Sequence, residues 1–172
     1  GAAQGIGAAC VRRLVADGAR VALWDIADAA GAALAHSLAA TGAEVLYRHC
    51  NVAARAEVDA ALAATLAHFG RVDALVNNAG IFRAAPFLDI TEADWDAVLE
   101  VNLKGHFLVG QAVARELARQ RRGAIVNMSS VNGTLTIPTI ASYNASKGAI
   151  DQLTRVMALA LAEHGVRVNA VA

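Results

Sequence analysis

The chain opens with GAAQGIGAACVRRLVADGARVALWD, residues 1–25, and this stretch decides the fold class. Three glycines fall within its first seven residues, and a helical pattern starts near Ile6. The helix leads into an apolar run that ends at Asp25 and has the composition of a buried strand. A glycine turn, a helix and a buried strand in this order predict the beginning of an α/β fold.

The same alternation of short apolar strands and longer helices continues along the chain. We predict further strands at residues 44–48, 72–77, 123–128 and 166–171, and helices at residues 28–40, 57–69, 95–119 and 142–164. Asp28 is a candidate N-cap, and Gly70 follows the end of a helix. The apolar strands are typical of parallel strands covered on both faces. The pattern therefore predicts a doubly wound parallel sheet, Rossmann-like, with residues 1–172 forming a single domain.

The composition excludes several classes of protein. The 172 residues are 56% hydrophobic and 17% charged, which excludes a disordered chain. Fifteen Lys and Arg balance fifteen Asp and Glu, so no charge excess points to nucleic acid or to an anionic membrane. No apolar run reaches the roughly 18 residues of a membrane span, and no signal peptide pattern opens the chain. We therefore expect a cytoplasmic protein.

The cysteines and histidines do not predict a metal site. Cys10 and Cys50 lack metal-ligand spacing and are expected to be reduced thiols. The five histidines are scattered, and we expect them at the surface or at helix ends. His106 lies one turn after Asn102 and could instead approach a pocket.

The glycine loop, residues 1–7, is a candidate phosphate-binding turn. Glycines allow the backbone to turn tightly and to approach a pyrophosphate without a Cβ in the way. The following helix directs its free N–H groups and the positive end of its dipole at the loop. An ordinary tight turn is the alternative interpretation of the same residues.

Asp25 lies 18 residues past Gly7, at the end of the strand that follows the loop and helix. A carboxylate at this position can bind both ribose hydroxyls of an adenosine and would repel a 2′-phosphate. No Arg follows Asp25 or lies in the loop, which favours NAD over NADP. A solvated strand-end Asp or a helix cap is the alternative.

Tyr143 and Lys147 are four residues apart at the start of a predicted helix, so they share one helix face. An ammonium near a phenol stabilises the phenolate, and a phenol so placed can exchange a proton with a substrate oxygen near neutral pH. Lys104 and Lys147 are the only lysines of this chain, beside thirteen arginines. A Tyr–Lys pair at this spacing can also arise by chance on a helix surface.

Three more motifs stand beside these features. They are Asn77-Asn78-Ala79-Gly80, Val101-Asn102-Leu103 and Asn127-Met128-Ser129-Ser130. Ser130 lies 13 residues before Tyr143. In order and spacing, the glycine loop, these motifs and the Tyr–Lys pair resemble the short-chain dehydrogenase/reductase family over nearly the whole chain. The Thr that usually precedes the family's glycine loop is absent.

The resemblance implies an NAD-dependent oxidoreductase that interconverts a secondary alcohol and a ketone by direct hydride transfer. Tyr143 would be the general acid and base, and Lys147 would also hold the nicotinamide ribose. Ser130 would donate a hydrogen bond to the substrate oxygen. Asn102 would bend its helix locally and hold a water that links Lys147 to solvent. Ser129 would support the end of its strand.

The resemblance also implies a set of cofactor-binding residues and no metal. They are Gly1, Gln4, Gly5, Ile6, Gly7, Asp25, Asn51, Val52, Asn78, Ala79, Gly80, Tyr143 and Lys147. Asn51 stands where the family often has Asp, and we expect a small effect. Residues 131–140 would flank a small-molecule alcohol or ketone substrate, with Asn132, Thr134 and Ile137 as candidate contacts.

Further expectations concern assembly and extent. The resemblance implies a homodimer or homotetramer formed through the helices at residues 95–119 and 142–164. It also implies a central strand before Gly1 and a substrate-loop region after Ala172, so we expect this sequence to be partial and inactive by itself.

Two other functions stay open. One is a non-catalytic dinucleotide-binding or scaffold protein, which would not need the Tyr143–Lys147 pair. The other is an epimerase or dehydratase that holds NAD tightly and releases no NADH. The substrate is not determined, because members of the family use sugars, polyols, 3-oxoacyl thioesters and steroids.

Overall fold

The computed structural model describes all 172 residues, which divide into two compact units, Gly1–Arg71 and Val72–Ala172. The first unit contains a two-stranded parallel sheet and the second a three-stranded parallel sheet. Helices separate the successive strands in both units, so the predicted α/β class with parallel strands is confirmed. Each unit has its own sheet, and the single domain expected for residues 1–172 stays a prediction.

The first unit follows the predicted order of elements. It contains α1 (Gly5–Ala16), β1 (Val21–Asp25), α2 (Asp28–Ala39), β2 (Val45–His49) and α3 (Arg55–Phe69). One apolar cluster joins α1, β1 and α2 and consists of Val11, Val21, Leu23, Leu34 and Leu38. From the other strand face, the Trp24 indole N–H donates to Thr65 Oγ1 of α3 at 3.1 Å. Helices therefore contact β1 through both its faces, as a doubly wound fold requires.

The second unit holds most of the longer helices. It contains β3 (Ala74–Asn77), α4 (Glu92–Leu99), a π-helical turn (Glu100–Lys104), α5 (Gly105–Gln120), β4 (Gly123–Met128), α6 (Ala141–Ala162) and β5 (Val166–Val171). Short 3₁₀ turns cover Phe87–Asp89 and Val131–Gly133. The strand order is β3-β4-β5, with Asn77 opposite Asn127. Leu117, Ile125 and Ile150 are fully buried and join α5, β4 and α6 in the core of this unit.

The helix predicted at residues 95–119 is interrupted. The helical backbone begins at Glu92, widens into the π turn at Glu100–Lys104 and continues as α5 to Gln120. At this turn the Gly105 N–H donates to the Glu100 carbonyl, five residues back. Apolar periodicity predicts that a helix exists but cannot detect one extra residue in a turn.

The predicted cap at Asp28 is wrong. Ala27 is the N-cap of α2, and Asp28 is the first helical residue. The Asp28 carboxylate instead accepts a hydrogen bond from the Tyr47 hydroxyl at 2.6 Å and lies 2.9 Å from His49 Nδ1. The neighbouring strand β2 supplies both partners, which sequence spacing does not reveal. Gly70 ends α3 as predicted, in the left-handed conformation with φ = 77°.

None of the helices combines the length and the apolar character that crossing a membrane would require.

Candidate active site

Asp25 ends β1, and its carboxylate is fixed by backbone donors. The Ala3 N–H donates to Oδ2 at 2.8 Å, and the Ala27 N–H donates to Oδ1 at 2.9 Å. Burial opposes ionisation, but these two backbone hydrogen bonds lower the pKa of Asp25 below its ordinary value. The residue is 8% exposed. Each oxygen of the Asp25 carboxylate can accept a second hydrogen bond, so this fixed anion can bind two further donors.

The glycine loop contacts Asp25 through Ala3 and leads directly into α1. Gly5 adopts φ = 53°, and no atom lies within 4 Å of the position that a Cβ would take there. Gln4 is the N-cap of α1 and makes no side-chain capping hydrogen bond. The first N–H groups of α1 thus face an open backbone turn, which suits an anionic group. The donor set and the acidic strand end together fit the adenosine and phosphate part of a dinucleotide.

Asn51 and Val52 follow β2 in the same unit. The Cys50 N–H donates to the Asp25 carbonyl at 3.0 Å, which holds this segment beside the end of β1. Asn51 Oδ1 accepts from the Ala53 N–H at 3.0 Å, so its amide oxygen shapes the turn before α3. Val52 is buried. The structure therefore brings Asp25, the loop and Asn51 together within the first unit.

Lys147 and Tyr143 project from α6 in the second unit. Lys147 is 4% exposed, and its ammonium donates to the Met128 carbonyl at the end of β4. The ammonium lies 5.4 Å from the centre of the Tyr143 ring. Burial lowers the pKa of Lys147 to about 8, against the opposing effect of Asp151. An ammonium and a phenol are thus held together beside the end of a strand.

Asn102 lies in the π turn and is completely buried. Its Oδ1 accepts from the Ile81 N–H at 2.8 Å, and its Nδ2 donates to the Ile81 carbonyl at 2.9 Å. Nδ2 also donates to Ser146 Oγ at 3.0 Å, and that hydroxyl donates to the Tyr143 carbonyl at 2.7 Å. The Asn102 side chain therefore fastens the segment after β3 to the helix that carries Tyr143.

Ser130 follows β4 and is held by its neighbour Asn132. Ser130 Oγ accepts from the Asn132 N–H at 3.1 Å and donates to Asn132 Oδ1 at 3.3 Å. Ser129 is more deeply buried, and its N–H donates to the Val171 carbonyl at 2.8 Å. Ser129 is therefore engaged with the sheet, and Ser130 carries the hydroxyl that is available for chemistry.

The NNAG segment at the end of β3 is fixed by buried amides. Asn77 Nδ2 donates to the His106 carbonyl at 2.9 Å and to Asn127 Oδ1 at 3.2 Å. A Cβ added at Gly80 would lie 3.4 Å from Asn102 Oδ1, so this backbone lies close to the buried amide. Asn78 and Ala79, between them, are partly exposed. Asn77 is thus part of the structural framework, and the residues after it reach the surface.

Sequence reasoning missed two features of this unit. Phe82 is 62% exposed, and its ring stands edge-on to Tyr143 with 6.4 Å between the ring centres. His106 was expected at the surface or at a helix end, with an approach to a pocket as the alternative, and the structure buries it to 1% exposed. Burial and the charge of Lys147 lower the pKa of His106 to about 4. The four-residue spacing from Asn102 is the signal behind the alternative that His106 approaches a pocket. The chain's His, Cys, Asp and Glu side chains form no cluster that could hold a metal ion.

The chain belongs to the short-chain dehydrogenase family, since the model of that family, described as short chain dehydrogenase, matches residues 1–172. It is 40% identical over 171 residues to D-threitol dehydrogenase of Mycolicibacterium smegmatis, covering 99% of this chain and 66% of that relative.

Two solved structures are also similar. One is a gluconate 5-dehydrogenase from Burkholderia cenocepacia in complex with NADP and tartrate, with a TM-score of 0.94 and 39% identity over 99% of this chain and 67% of the other. The second is an NAD⁺-bound xylitol dehydrogenase, with a TM-score of 0.95 and 37% identity over 98% of this chain and 65% of the other. The chain thus spans about two thirds of the length of these relatives.

Proposed function

We propose that the protein is an NAD-dependent oxidoreductase that interconverts a secondary alcohol and a ketone. The observation that carries this proposal is the buried Lys147 ammonium beside the Tyr143 phenol, on a helix fastened by Asn102. A binding protein or scaffold has no need of a buried cation beside a phenol, because holding that charge out of water costs free energy. An acid–base catalyst can use such a buried cation, because the charge lies beside the group that exchanges the proton.

The residues of the second unit have separate roles in this proposal. Ser130 donates a hydrogen bond to the substrate oxygen and stabilises the negative charge that develops there. Tyr143 takes the proton of the alcohol, or returns it to the ketone, with the Lys147 ammonium 5.4 Å from the centre of its ring. Asn102 acts through its hydrogen bonds, because it holds the helix that positions Tyr143 and Lys147. When bound, the nicotinamide supplies or accepts the hydride.

Asp25 supports a preference for NAD. Its ionised carboxylate can accept both hydroxyl groups of an adenosine ribose and would repel a 2′-phosphate. Gly1, Gln4, Gly5, Ile6 and Gly7 would line the phosphates, with Asn51 and Val52 near the adenine. Asn78, Ala79, Gly80, Tyr143 and Lys147 would contact the rest of the cofactor. The similar solved structures include both an NADP and an NAD⁺ complex, so the preference rests on Asp25.

A polyol or a sugar acid is the proposed substrate class. The names of the similar proteins refer to threitol, gluconate and xylitol, all polyhydroxylated molecules. We further propose a cytoplasmic homodimer or homotetramer that uses α4, α5 and α6 as contact surfaces. Exposed Phe107 and Leu159 support an interface on these helices.

The test uses purified full-length protein with D-threitol, xylitol and gluconate, each with NAD and with NADP. We expect NADH formation with at least one substrate, which also separates an oxidoreductase from an epimerase or dehydratase. Tyr143→Phe is expected to abolish turnover while NADH binding, followed by its fluorescence, is retained. Undiminished turnover in Tyr143→Phe would overturn the proposal, as would the absence of any NAD(P)H formation across a wider alcohol panel.

A further inference from the structure

His49 ends β2 directly beside Asp25, the last residue of β1. The two residues are partners in the parallel register of the sheet. Neighbouring strands lie about 4.8 Å apart, and side chains alternate between the two faces along each strand, so partners in register share a face. The His49 side chain is half-exposed. An imidazole therefore lies at the surface next to the carboxylate that the proposed function assigns to the adenosine ribose.

Two carboxylates hold the His49 ring, and they come from different helices. Nδ1 lies 2.9 Å from Asp28 Oδ1 on α2, and Nε2 lies 3.6 Å from Glu57 Oε2 on α3. A protonated imidazole carries an N–H on both nitrogens, so it suits two anionic neighbours. The hydrogen bond with Asp28 raises the pKa of His49 above its ordinary value. The ring is thus fixed in place, and its surroundings favour the charged form.

The same two carboxylates are connected to residues expected to hold the adenosine. The Tyr47 hydroxyl lies 2.6 Å from Asp28 Oδ1 and 3.0 Å from the Asp25 carbonyl oxygen. Glu57 Oε2 accepts a hydrogen bond from the Asn51 N–H at 2.7 Å. The imidazole therefore belongs to one connected group of side chains at the ribose and adenine end of the candidate cofactor site.

The charge of this group depends on His49. Asp25 from β1, Asp28 from α2 and Glu57 from α3 are the charged groups around the ring. Burial and the hydrogen bond to Asp28 raise the pKa of Tyr47, so its hydroxyl stays neutral near neutral pH. Carboxylates are ionised in that range, whereas a histidine changes its charge there. Protonation of the ring thus offsets one of the three negative charges.

We propose that His49 is a second specificity-determining residue for the cofactor: its imidazolium offsets the negative charge beside Asp25 and so lets a 2′-phosphate bind there. When the ring is neutral, the carboxylates are uncompensated and repel the phosphate of NADP more strongly. This role of His49 rests on the proposed function, which assigns the adenosine ribose to Asp25. It goes beyond that function, because selection between NAD and NADP then varies with the charge of a neighbouring residue.

The expected effect is modest because the group is open to solvent. The side chains of His49, Asp28 and Glu57 are 51%, 67% and 41% exposed, so water and salt screen their charges. We expect the ratio of the NADPH and NADH dissociation constants to rise about threefold when His49 loses its proton. By linkage, bound NADPH should raise the His49 titration midpoint above its value with bound NADH, by about half a pH unit.

The test is a fluorescence titration of full-length protein with NADPH and NADH between about pH 6 and about pH 9. Wild type is compared with His49→Gln, which is neutral at every pH, and with His49→Arg, which is charged at every pH. The wild-type ratio should approach that of His49→Arg at the acid end and that of His49→Gln at the alkaline end. Comparison at the same pH cancels the titration of the 2′-phosphate itself. His36→Gln removes an exposed histidine of α2 and should follow wild type.

A wild-type ratio that follows His49→Gln over the whole range would overturn the proposal, as would equal ratios in the two His49 variants. Should a variant fail to fold, the imidazole titration of wild type decides, with the His49 signal assigned through its own backbone resonances. Equal His49 midpoints with NADPH and with NADH bound would also overturn the proposal, because linkage is reciprocal.

The outcomes separate this proposal from the proposed function. A protein that binds both dinucleotides without any dependence on His49 contradicts the role of His49 alone. A protein that binds neither dinucleotide overturns both. A protein with the His49-dependent ratio that turns over no alcohol supports the role of His49 and contradicts the proposed oxidoreductase activity.

Discussion

Ser130 and Asn132 form a closed pair of hydrogen bonds across the turn that follows β4. The Asn132 N–H donates to Ser130 Oγ at 3.1 Å, and Ser130 Oγ donates to Asn132 Oδ1 at 3.3 Å. The single proton of the Ser130 hydroxyl is thus directed at Asn132. A substrate oxygen that takes this proton has to compete with the Asn132 amide oxygen.

Because of this competition, we predict that the Asn132→Asp variant turns over more slowly than wild type. A carboxylate is a stronger acceptor than an amide and places negative charge beside the developing alkoxide. We expect kcat to fall about tenfold, with a smaller change in KM, because the loss concerns the transition state more than binding. Steady-state kinetics with the substrate that the panel identifies gives both values.

Asn132→Ala is the matched control for Asn132→Asp. It removes the side-chain acceptor without adding charge and leaves the backbone N–H that donates to Ser130. We expect its kcat within about threefold of wild type, since the hydroxyl stays free to turn to the substrate. Equal losses in the two variants would mean that Asn132 acts through packing and does not orient the Ser130 proton.

Gly133 sets how closely the turn after Ser130 approaches α6. A Cβ at Gly133 would lie 2.6 Å from Asp151 Oδ2 and 3.2 Å from the Lys147 carbonyl oxygen. Gly133→Ala should therefore push the turn away from α6 and lower the free energy of unfolding by about 1–3 kcal/mol. The Ser130 hydroxyl would move with it, so activity should fall as well. Urea unfolding measures the first effect.

Gly148→Ala is the comparison for this substitution. Its added Cβ would lie 3.4 Å from the Gly133 carbonyl oxygen, an ordinary van der Waals contact on the same helix–turn interface. Alanine also has the higher helix propensity, so we expect a change of under about 1 kcal/mol. If Gly133→Ala and Gly148→Ala lowered the free energy of unfolding by similar amounts, the close contact at Gly133 would not limit the position of the turn.

The sequence predicted the elements that periodicity and glycine caps define. β4 and β5 agree with the predicted residue ranges, and α3 ends at Gly70 as expected. Features decided by contacts across the fold could not be predicted. In the π turn, the Asn102 side chain is hydrogen-bonded to the backbone of Ile81. Asp28 does not cap α2, because its carboxylate accepts a hydrogen bond from Tyr47 on β2.

For the candidate site as well, the sequence predicted the residues that lie in motifs but not the contacts that the fold decides. Motif spacing identified Tyr143 and Lys147, whose proximity the structure shows. For His106 the sequence offered an approach to a pocket only as the alternative to a surface position, because an isolated histidine carries no periodic signal and the packing of α5 decides where it lies. Asn132 was noted only as a candidate substrate contact, since its hydrogen bonds to Ser130 depend on the geometry of one turn.

Asp25→Asn is predicted to weaken the discrimination between NAD and NADP. An amide keeps one acceptor but loses the charge that repels a 2′-phosphate. A charged hydrogen bond contributes about 1.5–3 kcal/mol, so the ratio of the NADPH and NADH dissociation constants should fall by about tenfold or more. Fluorescence titration with each dinucleotide gives this ratio.

Asp17→Asn is the control for the loss of a carboxylate elsewhere in the same unit. Asp17 is exposed and pairs with Arg13 at 2.8 Å, away from the end of β1. The Asp17→Asn variant should leave the ratio of the NADPH and NADH dissociation constants unchanged. A folded Asp25→Asn variant with the wild-type ratio would show that Asp25 does not select the cofactor.

Lys147 should make the protein more stable as the pH rises from 8 to 9. Burial lowers its pKa to about 8 from the ordinary value of 10.5. In this window the folded protein releases the Lys147 proton while the unfolded chain keeps it, so the unfolded state binds more protons. Stability then rises with pH, by on the order of 1 kcal/mol per pH unit. The window ends near pH 9 because Cys50, whose pKa burial raises to about 11 from 9.0, acts in the opposite direction above that value.

The contribution of Lys147 can be isolated by urea unfolding at about pH 8 and about pH 9, the two ends of this window. The proteins compared are wild type, Lys147→Met and Lys104→Met. The rise should disappear in Lys147→Met, because no buried ammonium is left to titrate. It should persist in Lys104→Met, since Lys104 is about half exposed and paired with Glu100 on the helix surface. A rise of the same size in Lys147→Met would assign the pH dependence to another group and would contradict a neutralised Lys147 in the folded protein above pH 8.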